Sequence, residues 1–304
     1  MEAAAGLAQP GGLNRMITSL FRRKHAATVT DDEPNLYWPV SQACTQAQMV
    51  EPAYAYWCEQ IGEVPRMHRK QWEFCYILQA LARYGMLAPE LRGLGFGVGG
   101  EPLASLFAAR GVSIVATDLE AERAEQSGWV HTAQHAANKH ALNARGLCDQ
   151  ASFDALVDFR FMDMNAIDRD LAEGFDFCWS ACALEHLGSI QHGLDFIVNS
   201  IECLRPGGVA VHTTELNCSS DDETLDNDGT VLFRQQDFRA LAARLEAVGC
   251  EVTLNFNLGQ QPLDQYVDVP PYSNDKHLKL RIAEWTSTSF GIIARKAGPA
   301  GQRT

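Results

Sequence analysis

The chain has 304 residues, of which 46% are hydrophobic and 21% charged, as in an ordinary globular protein with one large core or two modest ones. Its formal charge of −13 argues against nucleic acid, or any other polyanion, as a partner. Nine scattered cysteines, without a C-x-x-C pair, favour free thiols in the reducing cytoplasm over a disulfide framework.

Residues 1–34 are predicted to be a flexible or amphipathic N-terminal segment. Within them, residues 14–25 combine apolar positions at helical spacing with several Arg and Lys side chains. Such a short basic helix either docks on its own domain, frays, or makes peripheral contact with an anionic membrane. No apolar run is long enough to span a bilayer, and no secretory signal is visible.

Residues 35–90 are predicted to form a helical cap in front of the first strand. Apolar side chains recur at helical spacing over residues 42–62 and again over 68–86. The second helix starts with the basic residues Arg66, His68, Arg69 and Lys70. This basic run is either a solvated turn or a clamp on an acidic group of a ligand.

A glycine-rich turn follows, and the rest of the chain is organised around it. Glycine occurs at Gly95, Gly97, Gly99 and Gly100, between a short apolar strand and a helix that opens at Glu101 or Pro102. Turns without side chains let backbone N–H groups approach a nucleotide closely. The spacing fits both G-x-G-x-x-G and G-x-G-x-G, so it does not identify the nucleotide.

Strands and helices then alternate, which predicts an α/β fold with a mostly parallel sheet and right-handed crossovers. The second strand ends at Asp118, the third at Asp163 and the fourth near Ser180. Ligands collect at the carboxyl ends of such strands. Asp118, 23 positions beyond Gly95, is placed to accept the hydroxyls of a ribose.

The C-terminal third is predicted to add two strands and an insertion. Residues 250–256 form a sixth strand and residues 289–294 a last one. The Pro-rich, polar residues 257–285 between them are expected to form a wall of the acceptor pocket. Residues 297–304 are expected to be a disordered tail.

Five marks in this order resemble the class I S-adenosylmethionine-dependent methyltransferases. They are GLGFGVGG after the first strand, Asp118, MDMN with Asp163, ALEHLG after the fourth strand and LRPGG before the fifth. LRPGG is the most telling, because it has no special place in dinucleotide dehydrogenases. The resemblance covers residues 91–296 and implies a Rossmann-like, seven-stranded, mostly parallel sheet with an antiparallel last strand and helices on both faces.

The resemblance also implies roles for single positions. The backbone at Gly95, Gly97 and Gly99 would run alongside the methionine part of S-adenosylmethionine. Asp118 would accept hydrogen bonds from the ribose hydroxyls, and Asp163 with Met164 would bind the adenine. The product would be S-adenosylhomocysteine. The family often has an acidic residue where this chain has Gly93. Glu101, just past the turn, and Ser180, at a strand end, are further candidate cofactor contacts.

A closer likeness is to methyltransferases of sugars and polysaccharides, carried by HRKQWEF, GFGVGGEPL, PPY and HLKL. It implies O-methylation of a carbohydrate or another small hydroxylated acceptor, as a step of polysaccharide biosynthesis. The expected location is the cytoplasm. The oligomeric state does not follow from the sequence.

Removing a proton from a hydroxyl acceptor requires a general base. The candidates are Glu185 and His186 beyond the fourth strand, and His212 and Glu215 in the fifth. His212 lies within a β-branched strand, however, and is expected to be buried and hydrogen-bonded. His186 is the first choice, because imidazole titrates near neutral pH, although it could equally be a capping or core histidine. A divalent metal could bind His186 with His212, or the pair His131 and His135, but no metal is expected.

Two other functions stay open. The glycine turn and Asp118 also fit an NAD(P)-dependent oxidoreductase. The glycine at position 93 would equally suit a non-catalytic Rossmann-like scaffold.

Overall fold

The computed structural model describes residues 28–120, 136 and 138–298. The predictions for the basic N-terminal stretch, for His131 and His135, and for the end of the tail therefore lie outside the described residues. None of the described helices is long and apolar enough to cross a membrane.

The described helices and strands alternate along most of the chain. The α-helices are α1 Gln46–Met49, α2 Pro52–Gln60, α3 Arg69–Arg83, α4 Leu103–Ala109, α5 Gln150–Leu156, α6 Ile190–Ser200, α7 Gln235–Ala247 and α8 Pro262–Gln265. The strands are β1 Thr28–Thr30, β2 Ser41–Ala43, β3 Met67–His68, β4 Arg92–Gly95, β5 Ser113–Asp118, β6 Val157–Phe161, β7 Phe175–Ala181, β8 Leu204–Asn217, β9 Cys250–Glu251, β10 Thr253–Asn255, β11 Val267–Asp268, β12 Lys276–His277, β13 Lys279–Ile282 and β14 Trp285–Lys296.

Five parallel strands form the centre of the main sheet, in the order β6-β5-β4-β7-β8. Strand β14 pairs antiparallel with β8 along nine residue pairs, from Ser287↔Asn217 to Arg295↔Val209. The predicted α/β class, the mostly parallel sheet and the antiparallel last strand are thus confirmed. The chain leaves β4 in one direction and returns on its other side at β7, and this reversal of strand order opens a crevice at the carboxyl ends.

The far edge of the sheet differs from the prediction. The expected sixth strand is split, with β9 paired to β14 and β10 paired to β2. Strand β2 inserts between β14 and β10, although its residues were predicted to begin the first cap helix. Ser41 explains the difference, because its hydroxyl bonds to both the backbone N–H and the C=O of Ile293 in the core. Pairing with a distant strand overrides the local helical periodicity.

Helices cover both faces of the sheet and pack on it through two buried hydrophobic clusters. On one face, α3 packs against β14, β8 and β7. The ring of Tyr76 lies directly over Gly291, where a Cβ would come within 2.1 Å of Cε1, and the Tyr76 hydroxyl donates to the carbonyl of Val40 at 2.7 Å. This packing brings the first turn of α3 to the carboxyl edge of the sheet.

Gly93 lies in the middle of β4 and has no room for a side chain. A Cβ there would be 2.4 Å from Phe177 Cζ and 2.9 Å from Ile114 Cδ1, both on the neighbouring strands. The acidic residue that the family often has at this position is therefore sterically excluded here. Glycine is needed at this point for packing between strands.

We predict that Gly93→Ala lowers the free energy of unfolding by about 1–3 kcal/mol, the usual cost of overpacking a core. Urea unfolding of the variant and the wild type measures the difference. The matched control is Gly298→Ala, whose added Cβ would have its nearest neighbour 4.0 Å away. Equal midpoints for Gly93→Ala and the wild type would contradict the packing argument.

Candidate active site

A cavity of about 870 Å³ opens at the carboxyl edge of the parallel strands. The glycine turn and the residues that follow β5 and β6 line one end of it. Glu185, Glu215 and the first turn of α3 lie close together and line the remainder, which we call the acceptor end. Ala183, after β7, lies against Gly97 between the two. Elements that are distant in the sequence thus meet at one site, as the sheet topology requires.

The glycine turn uses its glycines in two ways. Gly97 and Gly99 line the cavity and have positive φ angles of 57° and 49°, a conformation that side chains disfavour. A Cβ on Gly97 would lie 3.0 Å from Ala183 Cβ and 3.1 Å from Met164 Sδ. Gly95 instead packs under Trp179, where a Cβ would come within 2.4 Å of the indole. The structure therefore gives Gly95 a packing role next to the cavity.

Asp118, the last residue of β5, joins three parts of the backbone. Its Oδ2 accepts from the N–H groups of Gly99 at 3.1 Å and Ala136 at 2.8 Å, and its Oδ1 accepts from Leu119 N–H at 2.8 Å. The side chain is mostly buried and lines the cavity. These bonds fix the carboxylate at the edge of the glycine turn.

Asp163 and Met164 line the same end of the cavity as Asp118. Strand β6 ends at Phe161, two residues before the predicted end, so Asp163 lies in the following turn, where its Oδ1 accepts from Asn165 N–H at 2.8 Å. The N–H of Met162 donates to the carbonyl of Asp118 at 2.8 Å. This bond holds the two turns side by side, so both predicted carboxylates face one space.

Glu101 brings a third carboxyl group to this end. It lines the cavity, and its Oε1 accepts from the indole N–H of Trp179 at 2.5 Å. Burial, with a contribution from Asp118, raises the pKa of Glu101 well above its usual range. A buried acid of this kind is stabilised in its ionised form by a cationic ligand.

Glu185 and His186 form a short 3-10 turn after β7, and both line the cavity. Nδ1 of His186 lies 2.9 Å from the carbonyl oxygen of Gly229. A carbonyl only accepts, so Nδ1 carries the hydrogen and, in the neutral ring, Nε2 holds the lone pair. Oε2 of Glu185 accepts from the hydroxyl of Thr214 at 3.1 Å.

The first turn of α3 contributes an ion-pair cluster that the sequence did not reveal, in which Arg69, Glu73 and Glu215 are buried and Lys70 is partly exposed. Arg69 Nη1 lies 2.6 Å from Glu215 Oε1 and 3.4 Å from Glu73 Oε1, and Lys70 Nζ lies 3.6 Å from Glu73 Oε2. Burial alone would raise the pKa of Glu215, but Arg69 and Lys70 beside it lower it below its usual value. Two of the four basic residues thus have a role that neither expectation anticipated, since they neutralise buried carboxylates of the protein itself.

His212 and Ser180 do not line the cavity, which contradicts the expected cofactor contact of Ser180 and agrees with the buried, hydrogen-bonded position expected for His212. Both are fully buried, and Nδ1 of His212 bonds to the Ser180 hydroxyl at 2.8 Å while Nε2 bonds to the Ser200 hydroxyl at 3.2 Å. Alternate side chains of a strand point to opposite faces, so His212 and Glu215, three positions apart on β8, lie on opposite sides of the sheet. His212 is therefore removed from the candidate bases, and Ser180 from the candidate cofactor contacts.

Other lining residues were also missed. Asp228 and Thr230 line the cavity from the loop that follows β8, although neither was a predicted site residue. Within the insertion at residues 257–285, Ile282 is the contributor to the lining. The side chains that the loop and the insertion direct to the cavity depend on long-range packing, for which the sequence carries no periodic signal.

Cys182, Glu185 and Glu215 bring potential metal-ligand atoms within 4.8 Å of one another. Arg69 already bonds to Glu215, and burial followed by the nearby carboxylates raises the pKa of the Cys182 thiol well above its usual range. A protonated thiol and an occupied carboxylate are poor ligands for a divalent ion. The expectation that no metal is needed stays a prediction.

Neither a protein-family model nor a curated protein matches the chain. Solved structures with a similar fold include a protein of Galdieria sulphuraria proposed to be a sarcosine dimethylglycine methyltransferase (17% identity, TM-score 0.47, covering 76% of this chain and 85% of that one). An S-adenosylmethionine-dependent methyltransferase of Mesorhizobium loti has 17% identity and a TM-score of 0.31, over 45% of this chain and 53% of its own. One from Aquifex aeolicus has 13% identity and a TM-score of 0.39, over 72% and 88%. This chain thus spans about half the length of the Mesorhizobium protein, and similarity at this level says nothing about its activity.

The buried position of His212 gives a pH-dependent contribution to stability. Burial lowers the pKa of His212 to about 3 in the folded protein, whereas an unfolded histidine titrates near pH ~6.5. Between these two pKa values the unfolded chain binds a proton that the folded protein does not. The free energy of unfolding therefore falls as the pH is lowered from the pKa of the unfolded histidine towards that of His212 in the folded protein.

We therefore predict that the wild type loses stability on acidification faster than His212→Gln, by about 1.4 kcal/mol for each pH unit within that window. Urea unfolding at a series of pH values measures both slopes. The control is His192→Gln, which replaces an exposed histidine and should keep the wild-type slope. Parallel curves for the wild type and His212→Gln would count against the buried neutral ring.

Proposed function

We propose that the protein is an S-adenosylmethionine-dependent methyltransferase that transfers a methyl group to a hydroxyl of a small acceptor. One observation carries the proposal: Gly97, Gly99, Asp118 and Asp163 line the same end of one cavity at the carboxyl edge of the sheet. This is the combination of bare backbone and two carboxylates that an adenosyl ligand needs at a topological switch point.

The residues of the cavity fit this cofactor. The bare backbone of Gly97 and Gly99 leaves space for its methionine part. Asp118 is held by backbone N–H groups where it can accept ribose hydroxyls, and Met164 with Asp163 offers an apolar surface and an acceptor for the adenine. Glu101 offers a carboxylate to the amino group, in place of the acid that packing excludes at Gly93.

Charge favours this cofactor over a dinucleotide. A dinucleotide places a doubly negative pyrophosphate against the glycine turn. Here the turn is next to Glu101, whose ionised form a cationic ligand stabilises, and the cations Arg69 and Lys70 pair with carboxylates of the protein. A cofactor with a sulfonium and an ammonium offsets the negative charge that a pyrophosphate would increase. The oxidoreductase alternative is therefore less favourable.

The chemistry follows from the positions of the protein side chains. When bound, S-adenosylmethionine supplies a methyl group on a sulfonium for in-line displacement. An acceptor bound in the cavity with its oxygen about 3 Å from that methyl group would be positioned for attack, and such positioning would supply much of the rate enhancement. His186 accepts the hydroxyl proton at Nε2, while the bond from Nδ1 to Gly229 fixes the tautomer and the orientation of the ring.

The acceptor is proposed to be a carbohydrate or another polyhydroxylated small molecule. Polar and charged side chains, among them Lys70, Glu185 and Glu215, line the acceptor end of the cavity. Such a lining provides hydrogen-bond partners for hydroxyl groups, and buried carboxylates disfavour an apolar acceptor.

We predict that the wild type binds S-adenosylhomocysteine and that Asp118→Ala weakens this binding by about tenfold or more, since a hydrogen bond to a charged group contributes about 1.5–3 kcal/mol. Isothermal titration calorimetry measures the affinities. The control is Asp154→Ala, a half-exposed carboxylate outside the cavity lining. Thermal melting checks that Asp118→Ala remains folded, and Asp163→Ala is a second variant. The assignment fails if the wild type does not bind the compound, or if both cavity variants bind it as the wild type does.

We predict that His186→Asn slows methyl transfer by on the order of 100- to 10,000-fold, the usual contribution of a general base, without changing the affinity for S-adenosylhomocysteine. Transfer of a labelled methyl group from S-adenosylmethionine to fractionated glycans measures the rate. His192→Asn is a close match, because its Nδ1 also lies 2.9 Å from a backbone carbonyl, that of Leu187, but it does not line the cavity. Equal rates for the two variants would exclude His186 as the base.

A further inference from the structure

We infer that the acceptor carries an amino group, and that Glu185 binds it as an ammonium ion. The inference rests on the proposed function and narrows its acceptor to a positively charged, hydroxylated molecule such as an amino sugar. The observation behind it is a carboxylate deep in the cavity that has no Lys or Arg within ion-pair distance among the described residues.

Glu185 is almost fully buried, with 1% of its surface exposed, and yet it lines the cavity. Its two oxygens differ. Oε2 accepts from the Thr214 hydroxyl, whereas Oε1 has no hydrogen-bond partner among the described residues and lies 3.9 Å from His186 Nε2. Burying a carboxylate is costly unless a charge or hydrogen bonds compensate it. A ligand that brings a charged donor to Oε1 would supply this compensation.

The cations of the cavity are already committed elsewhere. Arg69 pairs with Glu215 and Glu73, and Lys70 approaches Glu73. Within the described residues, no Lys or Arg lies within ion-pair distance of Glu185 or of Asp228, which stands at the exposed rim of the same cavity. The acceptor end thus has four carboxylates and two cations, and two negative charges remain unmatched.

This charge balance selects among acceptors of similar shape. An ammonium group gains a charge-assisted bond at Glu185 and attraction from Asp228. A neutral sugar gains an ordinary hydrogen bond, and a uronic acid or sugar phosphate meets repulsion in a partly dehydrated site. The net charge of the whole chain, −13, also favours the approach of a cationic acceptor over that of an anionic one.

His186 gives Glu185 a possible second role, and the two roles predict different results. If Glu185 only stabilised the imidazolium that forms when His186 takes a proton, its removal would slow methyl transfer and leave ligand selectivity unchanged. If it binds the ammonium group, its removal abolishes the preference among ligands of different charge. Binding measurements without turnover therefore separate them.

The test uses three sugars of one shape and different charge: glucosamine, glucose and glucuronate. Each is titrated, at a mildly acidic pH that keeps the amine protonated, into protein saturated with S-adenosylhomocysteine, and binding is followed by NMR. We expect glucosamine to bind about tenfold more tightly than glucose, as one charge-assisted hydrogen bond allows, and glucuronate most weakly. Glu185→Gln should remove the advantage of glucosamine, and Asp228→Asn should reduce it.

The matched control is Glu251→Gln, a carboxylate with 78% of its side chain exposed and outside the cavity lining, which should keep the wild-type order. Equal affinities, tighter binding of glucuronate, no binding of any of the sugars, or an unchanged preference in Glu185→Gln would each overturn the inference. Saturation with S-adenosylhomocysteine is measured first in the same samples. If that step fails, the proposed function fails; if it succeeds and the sugars show no charge preference, only the inference is lost.

Discussion

The carboxyl end of β5 is the constraint on which the site depends. Thr117 donates its hydroxyl to the carbonyl of Gly95 at 2.8 Å, and its own carbonyl accepts from Val98 N–H at 3.1 Å. Asp118 then binds Gly99 through its side chain and Met162 through its carbonyl. Two consecutive residues thus fix the glycine turn on one side and the turn after β6 on the other, and the cavity lies between them.

Negative charge is the second organising feature. Carboxyl groups occur at both ends of the cavity, and the two nearby cations, Arg69 and Lys70, are bound to carboxylates at one end. Such an environment favours a positively charged cofactor, and it disfavours phosphate groups at either end. The fold alone would allow both kinds of nucleotide, so the charge of the lining discriminates between them.

The sequence predicts the parts of this molecule that depend on local pattern and fails where distant packing decides. The alternation of strands and helices, the glycine turn and the strand-end position of Asp118 follow from periodicity and from residue type. The strand at Ser41–Ala43 does not, because Ile293, some 250 residues away, determines it. His212 was only a secondary candidate for the base, and the period of two along β8 directs its side chain into the core, as its β-branched neighbours indicated. The sequence does not identify Arg69 as part of the ion-pair cluster, because its contact with Glu215 depends on how α3 packs across the sheet.

The most direct test of the central claim is a competitive comparison of two ligands on the wild-type protein. S-adenosylhomocysteine and NAD are titrated separately by calorimetry, and each titration is repeated in the presence of the other ligand. The account predicts saturable binding of S-adenosylhomocysteine that NAD does not displace, because the glycine turn lies beside Glu101, whose ionised form the amino group of S-adenosylhomocysteine stabilises and a pyrophosphate does not. Saturable binding of NAD without binding of S-adenosylhomocysteine would contradict it.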